Sequence, residues 1–179
     1  MPLYSPSVRA IEFQKAMVFV DGANLFYRLD ARKLKLHNLN SMYHMIVRGR
    51  DVVRIYLYTS QPYYEKAVMA YAEKPFKNLR VVLGEAIRTA DGNFKEKGVD
   101  ALLVADLIYH AASKNCEFAL LVSVDTDFAH ALRRVEDFGC RTGVVSVCAQ
   151  TPPLLRRASD EVHEITEDDL VNNEWAKRA

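Results

Sequence analysis

The chain has 179 residues, half of them hydrophobic and 26% charged, which suits one globular domain with a sizeable core. No apolar run approaches the roughly 20 residues that span a bilayer, and the opening stretch MPLYSPSVRAIEFQKA lacks an apolar core and a small-residue cleavage site; the expected setting is cytoplasmic, with no membrane partner. The 24 basic and 23 acidic residues leave a formal net charge of +1, short of the basic excess common in nucleic-acid binders but compatible with one, because acids gathered in one site leave the remaining surface more basic. The three cysteines, Cys116, Cys140 and Cys148, show no CxxC spacing, which argues for buried or free thiols rather than a disulfide framework or a zinc site.

Residues 1–14 read as an N-terminal arm, since Pro2 and Pro6 disfavour a helix. Met17-Val18-Phe19-Val20, closed by Asp21-Gly22, is a short buried strand with a turn signal. Helices are expected over 24–35 and 39–48. Residues 52–58 form a β-branched and aromatic strand, and Pro62 suits the first turn of a helix reaching about residue 73. A strand over 80–87 precedes Ala90-Asp91-Gly92-Asn93, a turn signal that makes 88–97 a hairpin or loop. Gly98-Val99-Asp100 opens an apolar helix to Ala112. Residues 118–124 form the next strand, 128–138 a helix with Gly139 at its cap, and 142–147 a last core strand. A short helix starts at Pro152-Pro153, and 161–165 reads as an edge strand. Residues 15–168 make one domain, and 169–179 a charged tail expected to pack loosely. Strands that alternate with helices predict an α/β domain with a mostly parallel sheet flanked by helices; near-continuous apolar strands agree, because parallel strands are covered on both faces.

In such sheets ligands bind beyond the carboxyl ends of the strands. Asp21 follows one core strand, and Asp125 and Asp127 follow another. Asp100 sits where a helix begins. Asp106 lies about 240° around that helix from Asp100 and is secondary. Carboxylates brought together repel, and a cation relieves the repulsion. Oxygen ligands suit Mg²⁺ or Mn²⁺, and phosphodiester hydrolysis is the natural chemistry of such a site. Each acid also has a plainer role: Asp21 as a turn residue, Asp125 as a helix cap, Asp127 and Asp100 as first-turn acids favoured by the helix dipole.

Val20-Asp21-Gly22-Ala23-Asn24-Leu25 resembles the VDGxN opening of NYN domains, a LabA-like branch of the PIN-like nucleases. Lys97-Gly98-Val99-Asp100 resembles that family's KGVD segment, and Ser123-Val124-Asp125-Thr126-Asp127-Phe128 its SGDSDF segment, with Val124 and Thr126 in place of glycine and serine. Gly139 with the following strand, and the stretch Leu155 to Asp160, resemble the later segments. The resemblance spans roughly residues 17–166. It implies a PIN-like fold with one acidic pocket and Mg²⁺- or Mn²⁺-dependent cleavage of RNA. Asp21, Asp100, Asp125 and Asp127 would be the metal acids and Lys97 would stand near the scissile phosphate. Asn24 would orient the first acid or touch a phosphate, and Ser123 would hydrogen-bond a carboxylate or a metal-bound water.

Arg28, Arg32, Lys33 and Lys35, with Arg133-Arg134 and Arg156-Arg157, could hold phosphates or be solvated faces. Tyr63, Tyr64 and Phe94 could stack single-stranded bases or pack. His110, four residues after Asp106, reads as a hydrogen-bonding partner of that face, and His130 as structural. Two other readings stand beside the ribonuclease: a non-catalytic RNA- or protein-binding module, and phosphatase or Toprim-like chemistry. The last fits poorly, because the first strand lacks a D-x-D pair and carries Asp rather than Glu. A homodimer is compatible with the first two.

Overall fold

The computed structural model describes residues 14–37, 39–47, 49–60, 78–89 and 94–179. Along the chain these form β1 (Gln14–Asp21), α1 (Gly22–Asp30), β2 (Leu34–Leu36), α2 (Leu39–Ile46), β3 (Arg50–Thr59), β4 (Leu79–Leu83), β5 (Glu85–Arg88), β6 (Phe94–Lys97), α3 (Val99–Ala112) and β7 (Phe118–Val122). A 3₁₀ turn (Thr126–Phe128) follows, then α4 (Ala129–Asp137), β8 (Arg141–Val147), α5 (Pro153–Arg156), β9 (Glu161–Ile165), α6 (Glu167–Asn172) and β10 (Ala176–Arg178).

The main sheet has the order β4-β3-β1-β7-β8-β9, and each neighbouring pair in it is parallel. From β1 the chain winds outward through β3 to β4; from β7 it winds the other way through β8 to β9. The direction reverses between β1 and β7, which is where an open α/β sheet leaves a crevice beyond its strand ends. Alternation along β1 feeds two cores. Ala16, Val18 and Val20 pack with Leu25, Leu29 and Met42 on one face. Met17 and Phe19 pack with Leu103, Leu107 and Leu132 on the other. Coverage on both faces explains the unbroken apolar run in the sequence.

Several expectations change. The helix expected over 24–35 ends at Asp30; Lys33 takes φ 55°, and the chain turns into β2, which pairs antiparallel with β10. The strand expected over 80–87 divides at Gly84: β4 stays in the main sheet, and β5 leaves it to pair with β6 in the expected hairpin. The end of the chain is not loose. Thr166 and Asp169 form a reciprocal capping box at the start of α6, and Leu170, Trp175 and Ala176 are buried. The helix expected near 62–73, with Tyr63 and Tyr64, and the arm before Gln14 lie outside the described residues.

Candidate active site

β1 passes into α1 with no intervening loop. A Cβ on Gly22 would meet the Tyr58 carbonyl oxygen at 2.6 Å and the Thr59 Cβ at 3.1 Å, so only glycine lets α1 begin this close to β3. The junction leaves Asp21 on the rim of the sheet. Its Oδ1 accepts the Asn24 amide (3.1 Å), and its Oδ2 accepts the Ser123 hydroxyl (2.8 Å). Ser123 lies one residue beyond β7, and its Oγ also accepts the Asp125 amide (3.0 Å). Asp125 Oδ1 in turn accepts the Asp127 amide (2.9 Å), capping the 3₁₀ turn. Asp21 and Asp125, 104 positions apart in the chain, are thus joined through one serine.

Asp100 enters from a third element. Gly98, with φ +80°, opens α3 and puts Asp100 in its first turn. The acids act on one another electrostatically. Burial pushes the Asp21 carboxyl up to about 6; the Asn24 amide and Ser123 hydroxyl oppose this, and Asp100 and Asp125 add to it. Asp100 is open to solvent as a whole, yet its carboxyl is also raised, through partial shielding and repulsion from Asp125 and Asp127. Lys97 ends β6 and is exposed, three residues before Asp100.

The plain capping roles of Asp21 and Asp125 are therefore real, and do not compete with ligation, because each carboxylate oxygen has a second lone pair. Val124 stands where the resembled motif has glycine. It is not among the residues with positive φ, and its side chain is buried, so the turn forms without the glycine. Asp106 accepts the Tyr58 hydroxyl (2.8 Å). His110 pairs with the Asn115 side chain (3.0 Å) and packs on Tyr56; burial lowers its pKa. His130 is exposed on α4.

The basic candidates separate. Arg28 Nε donates to Asn24 Oδ1 (3.2 Å) and so stands at the rim. Arg32 is exposed one turn further and donates to the Arg28 carbonyl (3.1 Å). Arg134 pairs with Asp137 and Arg156 with Glu164. Lys33, Lys35, Arg133 and Arg157 are exposed. Sequence reading passed over Thr59 and Ser60, which are fully buried where β3 ends beside Asp21 and whose hydroxyls have no partner among the described residues. The rule that found Asp21, to read whatever follows a strand, points to them as well.

All the rim donors are oxygens, which suit a hard cation; the Asp21 carboxyl is raised chiefly by burial, with a smaller contribution from Asp100 and Asp125 that a cation would relieve. Among the described residues no group of three or more Asp, Glu, His or Cys side chains is arranged to hold an ion by itself. An ion on this rim would draw part of its shell from water and substrate oxygens, as Mg²⁺ commonly does.

A parallel α/β sheet with an acidic rim at its switch point is the architecture of the PIN-like class. The chain belongs to the NYN domain family, which matches residues 15–166. No curated protein matches it. A solved structure, that of a protein of unknown function, VPA0982 from Vibrio parahaemolyticus RIMD 2210633, is similar with a TM-score of 0.70 at 21% identity. The similarity covers 89% of this chain and 98% of that one, and shows a shared fold. Among the described residues no helix is long and apolar enough to cross a membrane.

Proposed function

We propose that this chain is a metal-dependent ribonuclease that hydrolyses phosphodiester bonds of single-stranded RNA. Asp21, Asp100, Asp125 and Asp127 would hold Mg²⁺ or Mn²⁺. The observation that carries the reading is the hydrogen-bonded line from Asp21 through Ser123 to Asp125, laid across the switch point with Asp100 in electrostatic reach. A hard dication bound there would polarise a phosphate and lower the pKa of a water.

The chain's own residues supply orientation. Ser123 and the Asn24 amide fix both oxygens of Asp21, so its free lone pairs point in one direction rather than sampling rotamers. Asp125 is held by its cap in the same way. Lys97, three residues before Asp100, and Arg28, which donates to the Asn24 side chain, would provide counter-charge for the phosphates flanking the scissile bond.

End-labelled single-stranded RNA incubated with Mn²⁺, Mg²⁺ or EDTA tests this, beside Asp21→Asn and Asp125→Asn. Removing one preorganised hydrogen-bond donor from an active site already costs about 10²–10³ in rate, so each variant should lose cleavage on at least that scale. EDTA should abolish cleavage by the wild type. Equal cleavage by all three proteins rejects the site. The open arrangement of the acids favours one second reading, a non-catalytic RNA-binding module; tight RNA binding with no cleavage under either metal would select it.

A further inference from the structure

The end of the sheet opposite the acidic rim carries two thiols that RNA cleavage does not use. Cys116 lies two residues before β7, and Cys140 one residue before β8. These strands are parallel neighbours with Phe118 opposite Arg141, and the Arg141 amide donates to the Glu117 carbonyl (2.9 Å). Cys140 is therefore level with Glu117, and Cys116 sits on the diagonal. Neighbouring strands run about 4.8 Å apart, which puts this diagonal within the roughly 4.4–6.8 Å between Cα atoms that a disulfide spans. The two Sγ atoms already stand 3.8 Å apart. Cys148, the third thiol, follows β8 at the far end of the sheet.

Both sulfurs belong to well-buried residues, yet they are not sealed in. A cavity of about 560 Å³ is lined by both, together with Lys15, Lys114 and Glu117. The cavity gives a small polar oxidant a route to the sulfurs. The shared hydrogen bond pushes Cys116 up and Cys140 down; the Ala119 amide adds to the lowering at Cys140, while burial, Asp160 and Glu117 oppose it.

We propose that Cys116 and Cys140 are a redox-modification site, in which a peroxide entering this cavity drives formation of a disulfide between the starts of β7 and β8. The Cys140 thiolate attacks one peroxide oxygen; the O–O bond breaks, leaving a sulfenic acid on Cys140 and, after proton uptake, one water. The Cys116 sulfur then attacks the sulfenic sulfur. The S–S bond forms, the S–O bond breaks, and the hydroxyl leaves as a second water with the Cys116 proton. In sum the two thiols lose two hydrogens, and one hydrogen peroxide is reduced to two waters. An added dithiol reverses the change. The staple joins strand ends that are already paired, so it leaves the acidic rim in place and holds β7 and β8 together when the rest of the chain loosens.

Full-length reduced protein is treated with a modest excess of hydrogen peroxide, its thiols are counted in denaturant, and alkylated peptides are mapped. The expected result is a fall from three free thiols to one, a cross-linked peptide joining Cys116 to Cys140, an alkylated Cys148, and a higher melting temperature that dithiothreitol returns to its starting value. Cys148→Ser should form the same cross-link, and Cys140→Ser none. Should Cys140→Ser fail to fold, the wild-type peptide map decides alone. Oxidation of Cys148 first, cross-links between chains, or three intact thiols where a free dithiol control is fully oxidised would overturn the proposal.

Discussion

Asp21 caps α1 and also stands among mutually repelling acids, and its titration separates the two roles. In an unfolded chain an aspartate titrates near 4; in the fold Asp21 titrates at about 6, chiefly through burial. Folding thus tightens its hold on the proton. That contribution to stability is fully present below the unfolded value and is lost as pH rises through about 6. Above that the ionised carboxylate opposes folding by about 3 kcal/mol in the absence of a cation. In EDTA, Asp21→Asn should therefore melt higher than the wild type near pH 8 and close to it near pH 4. With Mn²⁺ only the wild type should gain stability. A melting difference that ignores pH would show that the carboxyl is not under this strain. Ser60 permits a simpler test. Its buried hydroxyl has no partner among the described residues, and an unmade bond of this kind costs about 1–3 kcal/mol. Ser60→Ala should leave the denaturation midpoint unchanged or raise it; a clear fall would reveal a partner.

The β1–α1 junction is the element on which the rim depends. Alanine at Gly22 would force a Cβ to 2.6 Å from the Tyr58 carbonyl oxygen, and the Thr59 Cβ blocks relief on one side. Overpacking of this sort costs about 1–3 kcal/mol. Gly22→Ala should lower the unfolding free energy measured in urea by that amount and, by tilting α1, weaken RNA cleavage further than the stability loss explains. The junction was legible in the sequence for physical reasons. A strand covered on both faces is an unbroken apolar run, and a carboxylate next to a glycine at its end marks a rim position. The same reasoning found Asp125 and, through the glycine opening a helix, Asp100. What it missed depends on pairing across long separations. Nothing local says that Leu34–Leu36 will form a strand, because its partner is Ala176–Arg178. Nothing local brings Cys116 to Cys140, because their approach is set by the β7–β8 register. Arg28 was among the basic candidates, but nothing local separates it from Arg32, Lys33 and Lys35; its bond to the Asn24 side chain does.

At the scale of the whole molecule, the last residues close the core that the first strand opens. Leu170, Trp175 and Ala176 pack in one cluster with Leu34, Leu36 and Val147. The Trp175 carbonyl accepts the His37 amide (3.0 Å), and the Ala179 amide donates to the Lys33 carbonyl (2.7 Å). The segment therefore folds with the domain although the family match ends before it, at residue 166. Trp175 is the chain's single tryptophan, so its fluorescence reports on this segment alone while circular dichroism reports on the entire sheet. If the molecule unfolds as one cooperative unit, the two denaturation curves should superimpose. Trp175→Ala removes a large buried side chain and should lower the unfolding free energy read from circular dichroism by about 3–5 kcal/mol, rather than merely fray the terminus. A chain cut after Thr166 keeps every rim acid but exposes Leu34 and Leu36. It should lose RNA cleavage together with its cooperative transition, and regain neither with added Mn²⁺. A tryptophan signal that changes well before the sheet melts would instead make the segment a separate, weakly held unit.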